Sequence, residues 1–334
     1  MIKNNIKIFI TSYDDEEGHE IANRLRKLYE ISDRKYSLVE NPQSSDIIVI
    51  GSLGNNISDV DYLKNILINN VIDKYTNKCF SLTYRDKPFV FNRGVYESGV
   101  SNIFNFRRVK TGSYALSGSF NSYIKKHIYS SFEDCDKEYL ISFIGRNSHP
   151  VRTKIYSLKF SRKDIYIEDS TNFSFWNCDN FDEIDKKERN YYNVLLKSKF
   201  SICPRGVGAS SIRLFETIKL GIPPIIISDS YNLPSGPKWK EFSIMLKERH
   251  VDYLGKIATS YEDSYKEMGM MARKSYELHF ADDVYFNYVV DNCLDIMLNQ
   301  LVPEYYYWKM RKSIYYLLIT RRKIGELIKS IFGF

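Results

Sequence analysis

The sequence predicts an α/β protein made of two Rossmann-like domains followed by helices. Three observations carry this. Short apolar runs that end at turn residues alternate with segments of helical spacing, as parallel sheets require. Residues 197–229 read as strand, glycine-bearing turn, helix and second strand, a complete βαβ unit. With 334 residues, the chain is long enough for two cores.

In chain order, residues 7–10 (KIFI) form a first buried strand and residues 21–29 a helix. Between them lies an acidic loop with Asp14, Asp15 and Glu16. Loops after strand ends face the ligand crevice of a parallel sheet, so these carboxylates are candidate bases on the acceptor side. Acidic residues also suit a helix N-terminus by charge alone, and that second reading stays open. Strands follow at 37–39 and 47–50, then a turn with Gly51 and Gly54 and a helix near 62–71. A strand at 89–91 precedes Glu97, another candidate base. Residues 113–122, rich in Ser and Gly, read as loop. The polar stretch 130–138 separates a first domain over 1–135 from a second over 139–300, with a tail from 303 to 334.

The second domain opens with the strand LISFI at 140–144, and Gly145, Arg146, His149 and Arg152 occupy the turn after it. After a helix over 183–196, a strand at Phe200, Ile202 and Cys203 stops at Pro204. Gly206 and Gly208 loosen the turn, and Ser210 and Ser211 are suited to cap a helix. Ile212, Leu214, Phe215 and Ile218 recur at helical spacing, and Gly221 sits where a C′ glycine belongs. Ile225–Ile227 then suits a strand buried on both faces. Open N–H groups at that helix start form an anion pocket with the two serine hydroxyls, bracketed by Arg205 and Arg213. Glu216, one turn beyond Arg213, can accept hydrogen bonds from ribose hydroxyls. A nucleotide diphosphate site is one reading; an ordinary βαβ unit with an Arg213–Glu216 surface pair is the other.

The string SKFSICPRGVGASSIRLFETIKLGIPPIIISD, the following KWKEFSIML from Lys238, and the upstream YLISFIGRNSHPVRTKIYSL resemble the exostosin-type glycosyltransferases. The resemblance covers residues 139–250 and places Arg152 at the family's recurrent arginine. It implies a GT-B fold: two domains facing a cleft, with the nucleotide sugar against the C-terminal half. It further implies an inverting transfer from a UDP-sugar, here expected to reach a glycan or lipid-linked glycan. The nearest approach to a cation-holding acidic motif is EDCD at 133–136, in the polar stretch between the domains and read as solvated, so no metal or other cofactor is expected. In that reading Arg152, Arg205, Gly206, Ser210, Ser211, Arg213 and Glu216 bind the donor, with Arg146 a weaker member. A GDP-sugar enzyme of the fucosyltransferase kind and a non-catalytic glycan-binding subunit remain the alternatives. Pro224 departs from the β-branched residue usual there, and the N-terminal half is shorter than in animal exostosins, so their acceptor class does not transfer.

The net charge of +7 suits anionic partners such as nucleotide sugars, and no nucleic-acid motif accompanies it. Five scattered cysteines form neither a disulfide framework nor a metal cluster, which points to a reducing compartment. The 27 tyrosines carry little weight, since coding bias explains them as well as sugar stacking does. The N-terminal apolar run is too short for a signal peptide, so a cytoplasmic enzyme is expected. The tail alternates aromatic and aliphatic residues with Lys and Arg. It reads either as a helix at the inner face of a membrane or as one packing back on the domains.

Overall fold

The computed structural model describes residues 5–13, 16–51, 58–83, 85–86, 90–100, 107–116, 120–127, 136–173 and 178–332. The chain divides into two compact units. The first joins Met1–Gly112 to Asp282–Phe334, and the second is Ser113–Ala281. The boundaries therefore fall at 112/113 and 281/282 rather than at 135–139 and 300–303. The returning helices bury their apolar faces on the first unit, which draws the last 19 residues of the expected second domain (282–300), and the tail beyond it, into that unit.

The first unit contains β1 (Lys7–Ser12), α1 (Glu16–Ile31), β2 (Ser37–Leu38), β3 (Ile47–Gly51), α2 (Asp59–Leu67), α3 (Asn70–Tyr75), β4 (Cys79–Thr83), β5 (Gly94–Tyr96) and β6 (Val109–Thr111). Its strands are all parallel, in the order β2-β1-β3-β4-β5-β6. β3 is buried along its whole length, as an uninterrupted IIVIG run in a doubly covered sheet should be. The expected strand at 89–91 is displaced: residues 90 and 91 lie outside any strand, and β5 starts at Gly94. β4 escaped the sequence reading because CFSLT is short and carries a serine into the core.

The second unit runs α4 (Ser122–Lys126), β7 (Tyr139–Gly145), α5 (Pro150–Ser157), β8 (Ile165–Asp169), α6 (Phe181–Leu196), β9 (Ser198–Pro204), α7 (Ile212–Lys219), β10 (Pro224–Ile227), α8 (Trp239–Phe242), β11 (Ile244–Leu246), α9 (Leu254–Ser260) and α10 (Tyr265–His279). The sheet is again wholly parallel, ordered β11-β10-β9-β7-β8. Ile141, Phe143, Phe200, Ile202, Ile225 and Ile227 from its central strands pack into one core with Ile155, Leu254 and Ala258. Gly221 has φ of 68°, a left-handed conformation that ends α7. Pro224 is the first residue of β10, a strand position that tolerates its missing N–H.

The chain then returns to the first unit through α11 (Asp282–Asn299), α12 (Glu304–Lys309) and α13 (Arg311–Phe332). The Tyr29 and Phe286 rings meet edge to face at 5.0 Å, and Lys35 pairs with Asp291 at 2.8 Å. Ile314, Tyr315, Leu318 and Ile319 of α13 rest on a core that includes Ile48, Ile50, Tyr62 and Trp308. Packing back is thus the arrangement of the first half of the tail helix.

Candidate functional site

In an open parallel sheet, ligands bind beyond the carboxyl ends of the strands where the strand order reverses, because the two loops there diverge. In the second unit that point lies between β7 and β9, which end at Gly145 and Pro204. The basic residues singled out in the sequence come from the turns that follow these two ends.

Arg152, on the first turn of α5, is buried and spends its donors on main-chain carbonyls. Its Nε donates to the Arg205 carbonyl at 2.8 Å, Nη1 to Arg146 at 3.0 Å, and Nη2 to Pro204 at 3.1 Å. One guanidinium therefore ties the β7 loop to the β9 loop. Arg213, on the first turn of α7, is equally buried and donates through Nη2 to the Ile144 carbonyl. Its Nε is buried with no partner. Both guanidiniums lie against the Phe143 ring, at 5.6 Å for Arg152 and 4.7 Å for Arg213. Burial, and secondly the like charge of Arg213, push the Arg152 pKa down to about 10. Among the described residues no carboxylate stands within ion-pair distance of either guanidinium, although Arg213 feels the charge of Glu216.

Two glycines make room for these cations. A Cβ at Gly145 would lie 3.1 Å from Arg213 Nη2, and one at Gly206 would lie 3.2 Å from Arg152 Nη2. Both contacts are tighter than a side chain normally accepts, so each glycine lets a guanidinium lie against the backbone.

The remaining expected donor residues sort themselves by what their polar atoms already hold. Ser211 occupies the N-cap position of α7 yet makes no capping bond, which leaves its hydroxyl and the first N–H groups of the helix uncapped. Ser210 is buried, its hydroxyl 2.6 Å from that of Tyr114. Arg205 is half-buried and turns the other way. Its Nη1 donates to Ser230 Oγ at 3.0 Å and lies 3.7 Å from Glu248 Oε1. The close cationic pair is therefore Arg152 with Arg213, not Arg205 with Arg213 bracketing the helix start.

Glu216, the residue expected to meet the ribose, already has a protein partner on each carboxylate oxygen. Its carboxylate is 3% exposed; Oε1 accepts from the Asn121 N–H and Oε2 from the Tyr191 hydroxyl, each at 2.8 Å. Burial raises its pKa despite those bonds. Glu216 thus fastens Asn121 and α6 to α7. Arg146 is exposed, and its carbonyl accepts from Arg152 Nη1 at 3.0 Å and from the Ser148 N–H at 2.9 Å. His149 caps α5, its Nδ1 accepting from the Val151 N–H at 3.3 Å. A concavity of about 550 Å³ opens over Asn147, Ser148, His149, Pro150 and Thr153, beside the same loop.

Of the candidate bases, Asp14 and Asp15 lie outside the described residues, as does the Glu16 side chain. Glu97 follows the carboxyl end of β5, and its N–H bonds to the Thr83 carbonyl at 2.9 Å. Its side chain is 2% exposed, with Oε2 lacking any partner. Burial, with Asp86 adding to it, raises its pKa well above the carboxylate range. Sequence reasoning missed Tyr114, Asn121 and Tyr191, which brace the site. Nothing local marks them, since their partners are 96, 95 and 25 residues away.

Two wholly parallel α/β units are the make-up that a GT-B fold requires. Residues 115–261 match the model of the Exostosin GT47 domain, which falls entirely within the second unit. The second unit is therefore similar to an exostosin GT47 glycosyltransferase domain over these residues. A probable glucuronoxylan glucuronosyltransferase of Arabidopsis thaliana, IRX7, is 39% identical over 69 residues, 20% of this chain and 15% of the relative. An Exostosin-1 homolog of Caenorhabditis elegans is 22% identical over 300 residues, 78% of this chain and 76% of that one. The solved structure of WaaG, a glycosyltransferase involved in lipopolysaccharide biosynthesis, superposes with a TM-score of 0.38 at 8% identity, covering 89% of this chain and 100% of WaaG. The matched segment thus spans a small part of the Arabidopsis relative and about three quarters of the nematode one.

Proposed function

We propose that the chain is an inverting glycosyltransferase that moves a sugar from a UDP-sugar to a glycan or lipid-linked glycan acceptor in polysaccharide synthesis. The observation that carries this reading is the pair Arg152 and Arg213: two buried cations at the switch point, one with an unpartnered N–H, beside an uncapped helix start. Two like charges brought out of water cost free energy unless something offsets them. A diphosphate fits that role, since it brings negative charge and acceptor oxygens to guanidinium and amide donors alike.

In the transfer, the acceptor hydroxyl attacks the anomeric carbon from the face opposite the nucleotide. The bond from that carbon to the diphosphate oxygen breaks, and a base takes the hydroxyl proton. Charge then grows on the departing diphosphate, where Arg213, Arg152 and the N–H groups behind Ser211 stabilise it without a cation or cofactor. An α-linked donor gives a β-linked product. Glu97 is the candidate proton acceptor whose own surroundings suit the work, because burial raises its basicity above that of an ordinary carboxylate.

Titration calorimetry of the full chain with UDP and GDP tests the reading. UDP binding with weaker GDP binding supports it, and preference for GDP indicates the fucosyltransferase-like alternative. If neither nucleotide binds and no donor sugar is hydrolysed, a glycan-binding subunit is the better description.

A further inference from the structure

The last part of the first unit has a surface unlike the rest of the molecule. Of the 21 large hydrophobic side chains exposed among the described residues, 11 lie between Met297 and Leu327. They include Leu301, Tyr306, Tyr316, Leu317, Ile324 and Leu327, exposed between 52% and 67%. Such a concentration on one short stretch marks an interaction surface.

Charge follows the same segment. Residues 305–334 contain seven of the 48 Lys and Arg but one of the 41 Asp and Glu, so they hold six of the seven net positive charges. Without them the chain is close to neutral. Within α13, Ile314, Tyr315, Leu318 and Ile319 pack on the unit's core. Leu317, Ile324 and Leu327 follow at spacings of seven and three, one stripe on the opposite side of the helix. Exposed Lys312, Arg321 and Lys323 accompany that stripe. Among the described residues no helix is long and apolar enough to cross a membrane.

We propose that α13, with the turn before α12, seats the protein on an anionic lipid surface. The outward stripe enters the boundary between headgroups and acyl chains, while the flanking cations meet lipid phosphates. Charge selects this occupant: a second copy brings the same six positive charges and is repelled, whereas an acidic bilayer face is attracted. The inner side of the helix stays on the protein core, so docking needs no unfolding. The surface is separate from the cationic pair at β7 and β9 and does not depend on its role.

Flotation of the full chain with vesicles tests this, using phosphatidylcholine alone and phosphatidylcholine with one third phosphatidylglycerol. The chain is expected to float with the anionic vesicles only, and to be released by high salt. Replacing Lys312, Arg321 and Lys323 with Gln should weaken partitioning about 100-fold. A Leu317→Ser/Ile324→Ser/Leu327→Ser variant should stay in solution with an unchanged melting temperature. Absence of flotation, or equal flotation with neutral vesicles, overturns the proposal. So does a concentration-dependent dimer that the serine variant dissociates.

Discussion

Arg152 makes two kinds of contribution, and they separate by experiment. Its three bonds to main-chain carbonyls hold two loops together, while its charge awaits an anion. Arg213 gives one bond to the Ile144 carbonyl and keeps Nε unpartnered, so its charge is the less committed of the two. Arg213→Lys removes the planar fork but keeps the charge. It is expected to weaken UDP binding about tenfold with little change in melting temperature, as calorimetry and a thermal scan would show. Glu97 provides a pH test with a definite sign. A carboxyl whose folded pKa lies above its unfolded value favours the folded state at low pH, and this contribution is lost as pH rises through the folded pKa. Glu97→Gln should therefore raise stability at pH 8 relative to the parent in denaturant unfolding, and the gain should shrink as pH falls into the ordinary carboxylate range. If Glu97 takes the acceptor proton, the same variant loses activity by about 100-fold or more while gaining stability.

At the scale of elements, the site depends on how closely two strand ends let side chains approach. Gly145 and Gly206 act through space, since a methyl at either presses on a guanidinium end. Gly206→Ala is expected to weaken UDP binding several-fold while melting within a few degrees of the parent. A fall in stability with unchanged binding would instead make Gly206 a turn residue only. Local chemistry made this βαβ unit readable. Pro204 ends β9, Ser211 stands at the N-cap, Gly221 takes the left-handed position, and three isoleucines form the strand that follows. Each is a short-range preference that sequence records directly. The direction of Arg205 and the burial of Glu216 were not readable, because Ser230, Asn121 and Tyr191 decide them from other elements. β5 likewise begins later than the apolar residues around Phe91 suggest, since pairing with β4 and β6 fixes its register.

Over the whole molecule, the sequence conveyed two α/β units but not how the chain shares itself between them. The reason is a buried polar cluster. Glu304 is 2% exposed; its Oε1 accepts from Arg108 Nη2 at 2.6 Å, its Oε2 from Arg108 Nε at 2.9 Å, and Gln300 joins them. Arg93 donates to Gln300 at 3.0 Å. This cluster fastens α12 to the strands of the first unit, across nearly 200 residues of sequence. Glu304→Gln leaves the Arg108 charge buried without its partner, and denaturant unfolding should show a loss of about 3–5 kcal/mol. The central claim, however, concerns the switch point of the second unit. Calorimetric titration of the full chain and its Arg152→Met variant with UDP tests it most directly. The account predicts measurable binding by the parent, lost by at least about 100-fold in the variant, with affinity of the parent falling as pH rises through about 10. Equal UDP affinity in parent and variant, with both folded, would contradict it.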